Sequence, residues 1–194
     1  MIDQTQLVGA EPPKEEEKDL FRIDIACGDN KHQGFVGVDI CKTDSVDIVH
    51  DLSKYPWPFE DNSVDEAVCS HYFEHLEGFK ERAPFMNELY RILKPGRGAT
   101  IITPRALDRQ FQDGSHKYPP VVEGTYLYFN LEWLTANRLL HYRDLHGINC
   151  DFAIHYASVQ YHPMIAGRSD EFRQFAATQF ANAVMDLNVV VVKR

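Results

Sequence analysis

The stretch FRIDIACGDNKHQGFVGVDI, from Phe21 to Ile40, decides the fold of this chain. It predicts a buried strand, Phe21 to Cys27, then a polar turn and a second strand, Phe35 to Ile40. A carboxylate at the end of that second strand, Asp39, can accept hydrogen bonds from both hydroxyls of a ribose. The stretch therefore predicts a nucleoside-containing cofactor at the carboxyl ends of two strands of an open α/β sheet.

The turn argues against a dinucleotide. A dinucleotide site needs G-x-G-x-x-G, so that backbone amides and a helix N-terminus can hold the pyrophosphate. Here Gly28 is followed by no second glycine until Gly34, and only seven residues separate Cys27 from Phe35. A parallel crossover through a helix usually needs about a dozen residues. We therefore expect a cofactor without phosphates, and loops in place of the helices after strands one and two.

The rest of the chain predicts further alternation of strands and helices. The expected strands are Val46–Leu52, Val64–His71, Gly98–Thr103, Cys150–Gln160 and Leu187–Val192, and the expected helices are Ala83–Leu93, Leu131–Tyr142 and Asp170–Met185. The first of these helices ends at Lys94-Pro95-Gly96, a basic last turn followed by helix breakers. Between Arg105 and Asn130 the pattern is irregular and rich in aromatic residues, which is typical of a functional loop.

Composition sets the class of protein. A chain of 194 residues with 44% hydrophobic and 25% charged residues predicts a single domain, 21–194, preceded by an N-terminal arm, 1–20. Neither a membrane-spanning run nor a signal peptide is indicated, so we expect a cytoplasmic protein. The four cysteines lack C-x-x-C spacing, and neither a disulfide framework nor a metal site is predicted. The net charge of −9 argues against nucleic acid as a partner.

Three ordered motifs resemble those of class I S-adenosylmethionine-dependent methyltransferases, in particular the type 11 methyltransferases and small bacterial and phage members. The matching segments are Ile23-Asp24-Ile25-Ala26-Cys27-Gly28 with Gly37-Val38-Asp39, then Pro58-Phe59 with Asp61 and Ser63-Val64-Asp65, and finally Glu88 to Gly96. Ala26 stands where the family usually has glycine. The resemblance implies a Rossmann-like α/β fold with a mostly parallel sheet and an antiparallel last strand. It also implies S-adenosyl-L-methionine as the cofactor.

The resemblance also implies which residues contact the cofactor. It assigns the methionine end, the ribose and the adenine to Asp24, Ala26, Cys27, Gly28, Asp39, Ile40, Asp51 and Leu52, and it places Ser70 close to the sulfonium methyl group. Two of these have structural alternatives, because Asp24 could satisfy only neighbouring backbone groups and Asp51 could cap a turn.

Methyl transfer is an in-line displacement that needs the acceptor aligned behind the methyl group and water excluded. A base is needed where the acceptor loses a proton, and the candidates are His71 and His116, with the phenols of Tyr72 and Tyr118. His116 lies in the irregular segment after the fifth strand, where family members often build the acceptor pocket. The sequence lacks the N-P-P-Y and D-P-P-Y signatures of enzymes that methylate a flipped base.

Three functions fit these features. The first is methyl transfer to a small-molecule or modest polar acceptor; the others are a cofactor-binding module without transfer and an enzyme that breaks the cofactor down. The short loops also predict an uncovered sheet face over strands one to three. We expect the N-terminal arm, the late helix or a second copy of the chain in a homodimer to cover it.

Overall fold

A computed structural model describes residues 20–105 and 113–194, apart from the side chains of Tyr156 and Ala157. The strands are β1 (Arg22–Ile25), β2 (Val36–Asp39), β3 (Ile48–Val49), β4 (Val64–Ser70), β5 (Leu93–Pro104), β6 (Phe152–Tyr161) and β7 (Val184–Lys193). The helices are α1 (Gly78–Ile92), α2 (Glu123–Leu127), α3 (Leu131–Ala136), α4 (His141–His146), α5 (Pro163–Ala166) and α6 (Asp170–Gln179), with a 3₁₀ helix at Phe73–His75. In this part of the chain, no helix is long and apolar enough to cross a bilayer.

The described strands form a sheet in the order β3-β2-β1-β4-β5-β7-β6. Strands β1 to β5 pair in parallel, whereas β7 is antiparallel to both of its neighbours, β5 and β6. The predicted Rossmann-like α/β sheet with an antiparallel last strand is therefore confirmed. The order reverses at β1, whose neighbours are β2 and β4, and ligands of open α/β sheets bind at such a switch point.

Loops replace the helices after β1 and β2, as predicted. Among the described residues no helix lies between Ile25 and Val36 or between Asp39 and Ile48. These loops pack closely on β2, an option that the sequence analysis did not consider, whereas Val49 of β3 is 53% exposed. Ile23, Asp24 and Ile25 point alternately to the two faces of β1, yet none is more than 2% exposed. Over β2, the loops are so close that a Cβ on Gly37 would lie 2.6 Å from the Ser45 carbonyl oxygen and 2.7 Å from Cys27 Sγ.

Neither the late helix nor a second copy is needed to bury β1. Helix α6 is bonded to Arg105 at the end of β5, since Arg105 Nη1 donates to the Ala177 carbonyl at 3.3 Å. The predicted N-terminal arm lies outside the described residues apart from Leu20. The homodimer stays a prediction, but an uncovered face of β1 no longer supports it.

We expect Gly37→Ala to lower the free energy of unfolding by about 1–3 kcal/mol, because the new methyl group would overlap the fixed backbone carbonyl of Ser45. Urea unfolding followed by circular dichroism measures this change. Gly124→Ala is the matched control, because its Cβ would meet nothing within 4 Å. Equal stability changes in both variants would contradict the close packing of the loops on β2.

Helix α1 lies between β4 and β5 and buries the apolar stripe predicted from its spacing, with Phe85, Met86 and Leu89 at 0% exposure. It begins at Gly78, five residues before the predicted start, and stops one residue before the predicted end. Its polar residues Glu88 and Arg91 bond to residues 57–61, the connection between β3 and β4. The second and third sequence motifs therefore contact each other in the folded chain.

The second half of the chain differs from prediction in its helices. The expected helix Leu131–Tyr142 is two short helices, α3 and α4, separated around Arg138, whose φ is 60°. The expected helix Asp170–Met185 ends at Gln179, because Val184 and the residues after it pair with β6 and, from Asp186 on, with β5. Burial in the sheet therefore prevails over the helical spacing at this end.

Candidate active site

The loops that follow β1, β2 and β4 lie next to one another at one edge of the sheet. Ile25 of β1 pairs with Val38 of β2 on one side and with Cys69 of β4 on the other, in parallel. Each of these strands ends within one residue of that row. The cofactor residues predicted from the sequence therefore lie on adjacent loops.

Asp24 holds the loop between β1 and β2. Its side chain is 3% exposed, and its Oδ2 accepts a hydrogen bond from the backbone nitrogen of His32 at 2.8 Å. The ring nitrogen Nδ1 of His32 lies at 2.8 Å from the same oxygen. Of the two roles considered for Asp24, bonding to nearby backbone is the one present here, and a direct cofactor contact stays a prediction.

Asp39 ties the first loop to the end of β2. Its Oδ2 accepts from the Gly28 backbone nitrogen at 3.0 Å, and its Oδ1 accepts from that of Cys41 at 2.9 Å. Each carboxylate oxygen has a further lone pair, so Asp39 can accept ribose hydroxyls while holding the loop.

The turn of the first loop is made by two residues in the left-handed conformation, Ala26 with φ 57° and Gly28 with φ 52°. Glycine adopts this conformation freely, but alanine pays about 1–2 kcal/mol. Such strain clusters at functional sites. Ala26 thus adopts a backbone conformation that glycine would adopt with less strain.

The Cys27 side chain packs inside the loop. Burial, followed by the nearby charges of Asp24 and Asp39, raises the pKa of the Cys27 thiol. A thiol with a raised pKa stays protonated at neutral pH and is a poor nucleophile. The thiol of Cys27 is therefore not expected to act as a nucleophile.

The residues expected at the adenine end lie on the next two loops. Asp51 Oδ1 accepts from Ser53 N at 3.0 Å and from Ser53 Oγ at 2.6 Å, and the Ser53 bonds lower the pKa of the Asp51 carboxyl. Asp51 thus caps a turn, the alternative considered above. The Leu52 carbonyl accepts from Trp57 Nε1 at 3.1 Å. Ile40, which follows Asp39 in the chain, is 60% exposed.

His71 follows Ser70 directly after β4 and is also left-handed, with φ 56°. Its backbone nitrogen donates to the Ile102 carbonyl at 2.9 Å, which fixes its position against β5. Its ring lies between two buried carboxylates, with Nδ1 3.4 Å from Glu74 Oε1 and Nε2 4.0 Å from Asp186 Oδ2. The ring is 45% exposed and so is accessible to a ligand.

A polar cleft of about 490 Å³ joins the two predicted catalytic histidines. Its described lining is His71, Glu74, His75, Pro104, Asp113, Gly114 and His116. The other two candidates are less suited to act as a base. Burial raises the pKa of Tyr72 strongly, and Tyr118 projects into solvent at 80% exposure.

Sequence reasoning assigned no site role to three residues of this cleft region, Glu74, His75 and Asp186. Only weak signals in the sequence point to them. Asp186 is a carboxylate that begins an otherwise apolar final strand, and Glu74 precedes a histidine just after β4. Their meeting depends on β7 lying beside β5, a contact between distant parts of the chain.

Residues 23–101 match the family model of the methyltransferase domain. No sequence among curated proteins matches well enough to count as a relative. An S-adenosylmethionine-dependent methyltransferase structure from Archaeoglobus fulgidus is 17% identical, with a TM-score of 0.56 over 91% of this chain and 87% of that one. Another such structure, from Methanosarcina mazei, is also 17% identical, with a TM-score of 0.51 over 89% of this chain and 91% of that one. At this identity the structures support the fold.

Proposed function

We propose that this chain is a class I S-adenosylmethionine-dependent methyltransferase and that it methylates a small-molecule or modest polar acceptor. One observation carries the choice of acceptor site. His71 stands at the end of β4 between Glu74 and Asp186 and borders a polar cleft of about 490 Å³. A cleft of this size has room for a small molecule.

The residues at the strand ends fit the cofactor. When bound, S-adenosylmethionine supplies an electrophilic methyl group on a positively charged sulfonium. The carboxylates at this edge of the sheet suit that charge, and Asp39 has lone pairs for the ribose. The other proposed contacts are Ile40, Asp51 and the backbone of Leu52 at the adenine, with Ala26, Cys27, Gly28 and Ser70 at the methionine end.

His71 is the residue that we propose as the base. A carboxylate on each side stabilises the positive charge that the imidazole ring gains when it accepts a proton from the acceptor. The strained backbone of His71 and its bond to Ile102 hold the ring at the end of β4. An acceptor hydroxyl or amine in the cleft would then lie within reach of both His71 and the methyl group.

The net charge and the free cysteines bear on the kind of acceptor and on the cellular compartment. The net charge of −9 supports an acceptor other than nucleic acid. All four cysteines are free, which supports a reducing compartment, and we propose the cytoplasm.

The test is transfer of a labelled methyl group to a panel of small polar acceptors and to cell extracts. With the acceptor found, we expect His71→Asn to lower kcat by about 100-fold or more, because general-base catalysis contributes that much. Affinity for S-adenosylhomocysteine should change less than about threefold. His141→Asn, a change at an exposed histidine of α4, is the matched control.

The same assay separates the alternatives. Loss of the methyl donor at the same rate without any acceptor would indicate cofactor breakdown. Binding of S-adenosylhomocysteine with no transfer to any acceptor would indicate a binding module. An unchanged kcat in His71→Asn would remove the base role from His71.

A further inference from the structure

Glu74 is a buried carboxyl group placed where a cation could bind. It lies in the 3₁₀ helix after β4 at 0% exposure, and neither of its carboxylate oxygens has a hydrogen bond among the described residues. Its nearest ionic contact there, His71 Nδ1, is 3.4 Å away. The buried Arg82 attracts it from farther off, but Arg82 Nη2 donates to the Pro119 carbonyl. A carboxylate is rarely buried unless it is paired or binds a metal.

Two histidines stand beside this carboxylate. One nitrogen of His75, one nitrogen of His116 and one oxygen of Glu74 all lie within 4.8 Å of one another. The two rings meet edge to face, with centroids 5.0 Å apart. Donor atoms bound to a tetrahedral zinc ion lie about 3.3–3.5 Å apart, so small side-chain rotations would bring these three into place.

His75 is held in the form that binds metals. Its Nδ1 is 3.2 Å from the Ser115 carbonyl oxygen, which can only accept a hydrogen bond. Nδ1 must therefore carry the hydrogen in that contact, and the lone pair of Nε2 is directed away from it. A backbone carbonyl on the second ring nitrogen is the usual support of a metal-binding histidine.

The segment that carries His116 is fixed to the segment that carries Glu74. The Lys117 backbone nitrogen donates to the Glu74 carbonyl at 2.9 Å. Asp113 Oδ1 accepts from Ser115 N at 2.8 Å and from Ser115 Oγ at 2.7 Å, which shapes the turn before His116. The His116 side chain is only 8% exposed. The three donor groups are thus brought together by the fold before any ion binds.

We propose that Glu74, His75 and His116 bind one Zn²⁺ ion. Two imidazoles and one carboxylate are a set typical of zinc sites that keep one position open, here toward the polar cleft. The ion would offset the charge of Glu74, and Asp186 would remain beside the His71 ring to stabilise its positive charge. No metal site was predicted from the sequence. Glu74 and His75 are neighbours in the chain and His116 comes from a distant loop, so the three donors match no short spacing motif.

The test is calorimetric titration of Zn²⁺ into protein freed of metal by a chelator. We expect one ion per chain, with binding weakened about 100-fold or more in His75→Ala and in His116→Ala. His141→Ala removes an exposed histidine on α4 and should leave the affinity unchanged. Glu74→Gln should also weaken binding, because it removes the charge and keeps the size. Circular dichroism checks that each variant folds.

Two results would overturn the site: no zinc binding by the wild-type protein, or wild-type affinity in both histidine variants. If an alanine variant does not fold, the absorption spectrum of Co²⁺ added to the wild-type protein decides. A tetrahedral spectrum displaced by Zn²⁺ supports the site, and the spectrum of a hydrated octahedral ion contradicts it. These measurements use no methyl donor, so their outcome is independent of the proposed methyl transfer.

Discussion

Asp39→Ala is expected to weaken binding of S-adenosylhomocysteine by about 100-fold, or ~2.8 kcal/mol. The proposed hydrogen bonds from two ribose hydroxyls to an ionised carboxylate would be lost, and each is worth about 1.5–3 kcal/mol. The variant also removes the acceptor of the Gly28 and Cys41 backbone nitrogens, which hold the first loop in place. Isothermal calorimetry measures the affinity directly.

Two variants separate ribose binding from general charge effects. Asp44→Ala removes an exposed carboxylate five residues away and should change the affinity less than about threefold. Asp39→Asn keeps one acceptor oxygen and should fall between the wild type and Asp39→Ala. An affinity of Asp39→Ala equal to that of Asp44→Ala would mean that the ribose lies elsewhere.

The sheet and the positions of Asp39, Asp51 and His71 could be predicted because they follow from local patterns. Each lies at or just after the end of a short apolar run, and parallel strands bring such ends to one edge. Apolar periodicity also located α1, whose buried stripe is continuous in the sequence. The lengths of the first two connections excluded helices there, since chain length alone limits what a connection can contain.

Features that depend on distant contacts could not be predicted. The sequence allowed Asp24 to bond neighbouring backbone but did not identify His32 as the partner, because the fold of the loop sets that contact. The cluster of Glu74, His75 and His116 forms only because the segment around Ser115 lies against the 3₁₀ helix. Asp186 comes close to His71 only because β7 lies beside β5. The end of α6 was misplaced for the same reason, because pairing with β6 draws Val184 into the sheet.

The third motif was recognised without its physical role. Glu88 is 7% exposed, and its Oε1 accepts from the Trp57 backbone nitrogen at 2.6 Å. Arg91 donates to both oxygens of Glu88 and also to the carbonyl of Phe59 and the carboxylate of Asp61. The pair thus fastens the connection after β3 to α1. Trp57 in turn bonds the Leu52 carbonyl, so the contact extends to the proposed adenine site.

Glu88→Ala is therefore expected to lower the free energy of unfolding by about 3–5 kcal/mol, the usual cost of removing one partner of a buried ion pair. The variant leaves the Trp57 amide buried without its acceptor and Arg91 without its main partner. Urea unfolding measures the change, and an unaltered slope against urea keeps the comparison valid. Glu60→Ala, at an exposed position of the same connection, should change stability by less than about 0.5 kcal/mol. A loss below about 1 kcal/mol in Glu88→Ala would show that hydrophobic packing alone holds this connection on α1.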